Sequence, residues 1–272
     1  MESPYLIIVG EAGSGKDTVA GFLEKNHGYQ AIAQADPMKR FAKEVFGFTE
    51  HQLWGPSEAR NAEDPRFNVK IVGNAWGPAR KVLEDQRRVV NCLPEVFNLA
   101  PEEYFRKLKN WFNTLETYFY ELGLTLTPRA MLQTFGTEFG RDWDLDLWSH
   151  ITIKAAKLLV RGGYTYNRTV GLVRSTHPGY AHVVITDGRF RNEVLNVLEV
   201  GGKALKLTNP VDESAGVEKA GLKGHRSEAE QKGIPDDWYT FKLVNDKTLG
   251  LDSLEERVKG LATPLLQITW GY

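Results

Sequence analysis

The chain has 272 residues, enough for one large α/β domain or for a core that carries a substantial insertion. Its 34 basic and 35 acidic residues leave a net charge of −1, which excludes a global field drawing it to nucleic acid or to a membrane surface. The single cysteine, Cys92, excludes an internal disulfide and a multi-cysteine zinc site, and it reads as a small, part-buried apolar residue.

Met1-Glu2-Ser3-Pro4 lacks the basic residues of a signal peptide, and no stretch approaches the length of a membrane span, so the expected compartment is the cytoplasm. Tyr5–Val9 is apolar on both faces and reads as a central parallel strand. Directly after it comes Gly10-Glu11-Ala12-Gly13-Ser14-Gly15-Lys16-Asp17-Thr18. Gly10, Gly13 and Gly15 let the backbone bend so that successive N–H groups point into one cup, with Ser14 between them. Lys16 reaches the outer phosphates, and the N-terminus of the helix that follows adds partial positive charge. The order strand, glycines, lysine, helix suits a nucleoside triphosphate, and ATP is the expected ligand. Asp17 stands where a hydroxyl normally holds magnesium, and Thr18 supplies the hydroxyl one position later. An acid beside a triphosphate needs Mg2+, a water on Mg2+ or a nearby cation, so Asp17 and Thr18 are the metal candidates, directly or through water. The dinucleotide fingerprint fails, because Thr18 stands in place of a third glycine and Lys16 has no role in it.

The helix runs from Lys16 to about Lys25 and Gly28 ends it; Tyr29–Ala33 is a short second strand. Another helix begins at Ala35-Asp36-Pro37-Met38-Lys39, with Pro37 suited to its first turn. Near Gly47 the α/β rhythm stops. From there to about Thr127 the sequence reads as an insertion, mostly loop from Phe48 to Gly77. Pro101–Leu122 is an amphipathic helix whose stripe of Tyr104, Leu108, Trp111, Leu115 and Tyr118 reads as packing rather than a base-stacking platform. Helices follow over Pro128–Phe139 and Asp144–Val160, then a Gly/Tyr/Arg-rich segment, Arg161 to Tyr180, with the character of a hairpin or mobile loop. The rhythm resumes with a strand over His182–Asp187, a helix over Glu193–Val200 and a strand over Lys203–Leu207. Asn209 to Asp237 is a polar excursion, Tyr239–Val244 a last strand and Leu251–Leu261 a last helix.

Phosphoryl transfer also needs cations around the transferring group and an acceptor held in line. In an open parallel sheet such groups sit at the carboxyl ends of strands, where Asp187, Arg189 and Arg191 stand. Asp187 would orient magnesium-bound water or take the acceptor's proton, and the planar fork of Arg189 matches phosphate oxygens. The alternative is that Asp187 caps the following helix while Arg189 pairs with Glu193. Arg129, Gln133 and Thr137 lie at four-residue steps with Gly136 between them, a nucleotide-reading face or, equally, a solvated one. Lys39 and Arg60 are candidates for an acceptor phosphate. Lys219, Lys223, His225 and Arg226 lie in the 209–237 excursion, where a lid that closes over a triphosphate would carry cations. The six histidines show no metal-ligand spacing.

Four segments occur in order: Gly15-Lys16-Asp17-Thr18, Arg129-Ala130-Met131-Leu132-Gln133-Thr134-Phe135-Gly136-Thr137-Glu138, Asp187-Gly188-Arg189-Phe190-Arg191-Asn192-Glu193 and His225-Arg226-Ser227-Glu228. Together they resemble the deoxynucleoside monophosphate kinases of tailed bacteriophages, with Trp148 where that family places a substrate-site Trp. Phe190 departs from the polar residue expected at that turn. The resemblance implies transfer of the γ-phosphoryl of ATP, with Mg2+, to a deoxynucleoside 5′-monophosphate in a host cytoplasm. It assigns Lys16 and Thr18 to the donor phosphates, Lys39 and Arg129 to the acceptor phosphate, and Gln133, Trp148, Asp187 and Glu193 to base and sugar. Arg60 is a weaker transfer because its surroundings diverge. The implied fold is a three-layer α/β P-loop kinase with a mostly parallel sheet. Its core would be 1–46 and 128–272, its lid about 209–237, and a largely helical insertion over 47–127 would bind the monophosphate. Many such kinases pair subunits, so a homodimer fits the reading, although nothing in the sequence marks an interface. The rival readings are a kinase for another small phosphate, such as phosphomevalonate, and a nucleotide-dependent ATPase or switch. Asn245-Asp246-Lys247 does not supply the Asn-Lys-x-Asp element of a switch GTPase.

Overall fold

A computed structural model describes residues 3–11, 13–98, 100–210 and 233–266, with side chains to residue 261. Most of the expected lid, residues 211–232 with Lys219, Lys223, His225 and Arg226, lies outside the described residues.

Strands β1 (Tyr5–Val9), β2 (Tyr29–Ile32), β5 (His182–Gly188), β6 (Lys203–Thr208) and β7 (Phe241–Val244) form one sheet in the order β2-β5-β1-β6-β7. Every pairing in it is parallel, with Leu6 opposite Val184 and Lys203. Side chains alternate across a strand, so each face of β1 needs its own cover. Leu6 and Ile8 pack with Val19 and Leu23 of α1 (Lys16–His27) and with Leu254 and Val258 of a C-terminal helix, α12 (Gly250–Leu266). Ile7 and Val9 pack with Leu159 of α10 (Leu147–Arg161) and Val194 of α11 (Arg191–Glu199). The result is the three-layer α/β architecture of P-loop kinases. Among the described residues no helix is long and apolar enough to cross a membrane.

A third core surrounds α2 (Asp36–Phe46), built largely from the segment expected as an insertion. The stretch expected as loop holds two short helices, α3 (Glu50–Trp54) and α4 (Ser57–Asn61). Capping accounts for α3: Thr49 and Gln52 form a reciprocal capping box, and the buried Asp64 accepts from Gln52 Nε2 at 3.0 Å and Arg66 Nη2 at 2.6 Å, while α4 starts after Pro56 without a side-chain cap. Helices α5 (Trp76–Glu84), α6 (Gln86–Cys92) and α7 (Pro94–Phe97) precede α8 (Pro101–Leu122). Helix α8 buries Tyr104, Leu108, Trp111 and Leu115 as expected, but its last inward ring is Phe119, leaving Tyr118 half exposed. This core is shared with the sheet-side elements, since Phe41 of α2 stacks on Phe135 with centroids 4.3 Å apart.

The helix expected over Pro128–Phe139 changes winding. α9 (Pro128–Thr134) passes into a π-helical stretch, Phe135–Arg141. The Gly/Tyr/Arg-rich segment forms an antiparallel hairpin, β3 (Tyr164–Asn167) and β4 (Gly171–Arg174).

Candidate functional site

Past β1 the chain turns tightly at Gly10, and Ser14 N donates to Glu11 O at 3.1 Å. A Cβ on Gly10 would lie 2.5 Å from Leu207 O and 2.6 Å from Ser14 Oγ, so only glycine fits between the loop and β6. Gly15, at φ 97°, occupies the left-handed region, and a Cβ there would lie 2.5 Å from Asn245 Nδ2. Asn245, just past β7, is buried; its N–H donates to Thr208 O at 2.7 Å and its side-chain amide to Ser14 O at 2.8 Å. The last strand of the sheet therefore buttresses the loop from behind. Lys16 Nζ donates to Gly10 O at 2.6 Å and Glu11 O at 2.8 Å, carbonyls whose place a triphosphate would take. Burial, and then the Arg189 charge, push the Lys16 ammonium down to about 8. Ser14 Oγ is buried with no partner among the described residues. A tight loop, an orphaned hydroxyl and an ammonium parked on main chain fit a triphosphate. Asp17 is exposed at the first turn of α1 and Thr18 follows it, a donor set suited to Mg2+ directly or through water.

Beside that turn, an open cleft of about 590 Å³ runs along the free edge of β2. Asp17 and Glu24 of α1, Asp36 and Lys39 of α2, Trp54, Arg60, and the hairpin residues Tyr166 and Arg168 all line it. Lys39 Nζ sits 5.7 Å from the centroid of the Trp54 ring, and burial pushes its ammonium down against the charges of Asp36 and Asp187. Arg60 donates to Gly55 O at 2.7 Å and Ser57 Oγ at 3.3 Å, which braces the turn from α3 to α4. Asp36, 4% exposed, accepts from Trp54 Nε1 and from the Tyr166 hydroxyl, both at 2.9 Å. Burial pushes its carboxyl up, opposed by Lys39 and by these two hydrogen bonds.

Asp187 does not cap the helix that follows it. Its two oxygens accept from Gln34 N at 2.7 Å and Ala35 N at 3.0 Å, so the end of β5 fixes the start of α2 and with it Asp36 and Lys39. Glu193 is the cap of α11, accepting from Arg189 N at 2.8 Å and Phe190 N at 3.0 Å. Burial pushes Glu193 up to about 7, against those bonds. Phe190 lies under Arg141, whose guanidinium carbon is 3.5 Å from the ring centroid, which accounts for an apolar residue at this turn. The Arg189 side chain is exposed at the end of β5, with its charge within reach of Lys16.

The face expected to hold Arg129, Gln133 and Thr137 is broken by the π-helical stretch, because the four-residue step fails after Thr134. Trp148 is 3% exposed and donates its indole N–H to Gly136 O at 2.9 Å. It braces this stretch from within the core rather than offering a ring to a base. None of Arg129, Gln133, Gly136, Thr137, Trp148, Asp187, Arg189 and Glu193 is among the described residues lining the cleft. Helix α9, which carries Arg129, packs against α2 and α4. The structure thus brings Asp17, Lys39 and Arg60 into one cleft, and Lys16, Asp187 and Arg189 to the carboxyl edge of the sheet. Sequence reasoning missed Asp36, Trp54, Tyr166 and Asn245 as site residues. Asn245 carried a signal, since it stands at the carboxyl end of the last parallel strand as Asp187 stands at that of an earlier one. Tyr166 carried none.

No protein-family model matches the chain. It is 27% identical over 247 residues to a protein of Acanthamoeba polyphaga mimivirus named "Putative deoxynucleotide monophosphate kinase". The match covers 89% of this chain and 88% of that one. The likeness supports a relationship to kinases over nearly the whole chain.

Proposed function

We propose that the chain transfers the γ-phosphoryl group of ATP to a deoxynucleoside 5′-monophosphate, supplying DNA precursors in the cytoplasm. The observation that carries this reading is the continuity of the two halves of the site. The phosphate loop hands over, at Asp17, to a polar cleft that holds Lys39, Arg60 and the flat ring of Trp54. A kinase for a flat, phosphorylated acceptor needs a donor cradle and an acceptor cleft that meet at the transferring group. The mimivirus protein's name points to the same acceptor class.

In this mechanism Lys16 leaves the Gly10 and Glu11 carbonyls for the β/γ-oxygens, and the N-terminus of α1 adds its dipole. Arg189, exposed at the sheet's carboxyl edge, supplies the planar fork for charge that spreads over the equatorial oxygens. Lys39 and Arg60 hold the acceptor phosphate, and Trp54 gives the base or sugar a flat wall. Asp187 keeps the donor and acceptor halves in register through the start of α2. Mg2+, held by Asp17 and Thr18 directly or through water, neutralises the donor oxygens when bound. The test is a coupled assay of ADP release across the four deoxynucleoside and four ribonucleoside monophosphates. Release that depends on one or more deoxynucleoside monophosphates is expected. ADP release that ignores the acceptor overturns the reading in favour of an ATPase.

A further inference from the structure

One buried carboxylate joins the two side walls of the cleft. On one side, Asp36 Oδ1 accepts from the indole N–H of Trp54, the last residue of α3. On the other, Oδ2 accepts from the Tyr166 hydroxyl of the β3–β4 hairpin, 130 residues further along the chain. Arg40, one turn beyond Asp36 on α2, completes the fastening: its Nη1 donates to the Tyr166 hydroxyl at 3.3 Å and to Arg168 O at 3.4 Å. The hairpin is shaped to the same guanidinium. Gly171 has φ 98°, and a Cβ there would meet Arg40 Cζ at 3.3 Å. Tyr166, Asn167, Arg168 and Thr169 all line the cleft, so wherever the hairpin is held, that wall is held.

We propose that Asp36 is a positioning residue for the acceptor. It ties α3 to the hairpin and sets the width of the cleft between Trp54 and Tyr166, with Arg168 in the same wall as Tyr166. The inference rests on the reading of this cleft as the acceptor site. A buried carboxylate with two charge-assisted hydrogen bonds is a firm link, and one whose removal frees both walls at once. Donor binding lies on the other side of Asp17 and does not involve it.

Two measurements on folded variants test the link separately from the activity. Hydrogen exchange of the empty protein should quicken in both 50–54 and 164–174 in Asp36→Ala. Asp36→Asn should restore protection, because its amide still accepts from Trp54 and donates to the Tyr166 oxygen. Steady-state kinetics should show the acceptor KM of Asp36→Ala raised about ten-fold, with kcat within about two-fold and the ATP KM unchanged. Tyr166→Phe should raise the acceptor KM by a smaller factor, and Arg168→Ala should do so without changing exchange in 50–54. Unchanged exchange in both walls of folded Asp36→Ala overturns the link. Faster exchange with an unaltered acceptor KM overturns its role in acceptor binding. If the unaltered chain phosphorylates no nucleoside monophosphate, the functional reading fails, while the exchange result still decides whether Asp36 joins the walls.

Discussion

The low pKa of Lys16 makes donor binding measurably dependent on pH. In the empty protein, burial and the neighbouring Arg189 charge hold this ammonium at about 8, against an ordinary 10.5. A bound triphosphate surrounds it with negative charge and raises it again. Binding therefore takes up a proton whenever the pH exceeds about 8, and affinity is fully present below that value and lost above it. With a group titrating near 8, the charged fraction falls from about 0.9 at pH 7 to about 0.1 at pH 9, so affinity drops roughly ten-fold. The gap between about 8 and 10.5 limits the whole effect to roughly 3 kcal/mol at about 1.4 kcal/mol per unit. Calorimetric titration with Mg2+ and a non-hydrolysable ATP analogue, in buffers of different ionisation enthalpy, measures both affinity and proton uptake. About 0.9 proton should be taken up per nucleotide at pH 9 and about 0.1 at pH 7. Lys16→Arg, whose guanidinium stays charged throughout, should lose the pH dependence. Equal affinity at pH 7 and pH 9 with no proton uptake in the unaltered chain would refute the reasoning.

Lys16→Ala should keep the fold and lose several kcal/mol of transition-state stabilisation, seen as turnover reduced by at least about a thousand-fold; near-normal turnover in a folded variant removes the phosphate assignment. Lys39→Ala should weaken the monophosphate by about 1.5–3 kcal/mol while leaving ATP nearly unaffected. Separate titrations with each nucleotide check this, and an equal loss for both would move Lys39 out of the acceptor site. Gly140→Ala should destabilise the protein by about 1–3 kcal/mol in urea, because its Cβ would lie 2.3 Å from Trp148 Nε1. Adding Trp148→Phe should recover part of that loss, and an unchanged midpoint in Gly140→Ala would show that the π-helical stretch yields easily.

What the sequence disclosed follows the length scale of each signal. The turn from strand to helix between Gly10 and Lys16 was legible because three glycines after an apolar run mark a sharp change of direction. Tyr5–Val9 was legible because a strand covered on both faces is continuously apolar, and the run Val183–Ile185 marked a strand over His182–Asp187, one residue short of the one observed. Helix α8 gave a clear period over 22 residues, yet the stripe drifted enough to bring Phe119 inward in place of Tyr118. Helices α3 and α4, five residues each, are too short to show a period. The π-helical stretch shifts the phase after Thr134, so a fixed step assigned Thr137 to a face that the backbone does not keep. Asp187 and Glu193 were expected to act on the ligands; in the structure both accept from main-chain N–H groups, partners that leave no trace in side-chain identity. The Asp36–Tyr166 bond spans a distance in sequence that no local pattern covers.

The strand order also fixes when the molecule can take shape during its synthesis. Among the described residues β1 pairs only with β5 and β6, and β2 only with β5, so neither enters that sheet before residues beyond 181 have emerged from the ribosome. The core around α2 draws on residues between Phe41 and Ile151, all available earlier. The helical half is thus free to close while the glycine loop after β1 still hangs on an unpaired strand, and the half built on the sheet is completed last. Until then Tyr5–Val9 is a bare apolar edge in need of protection.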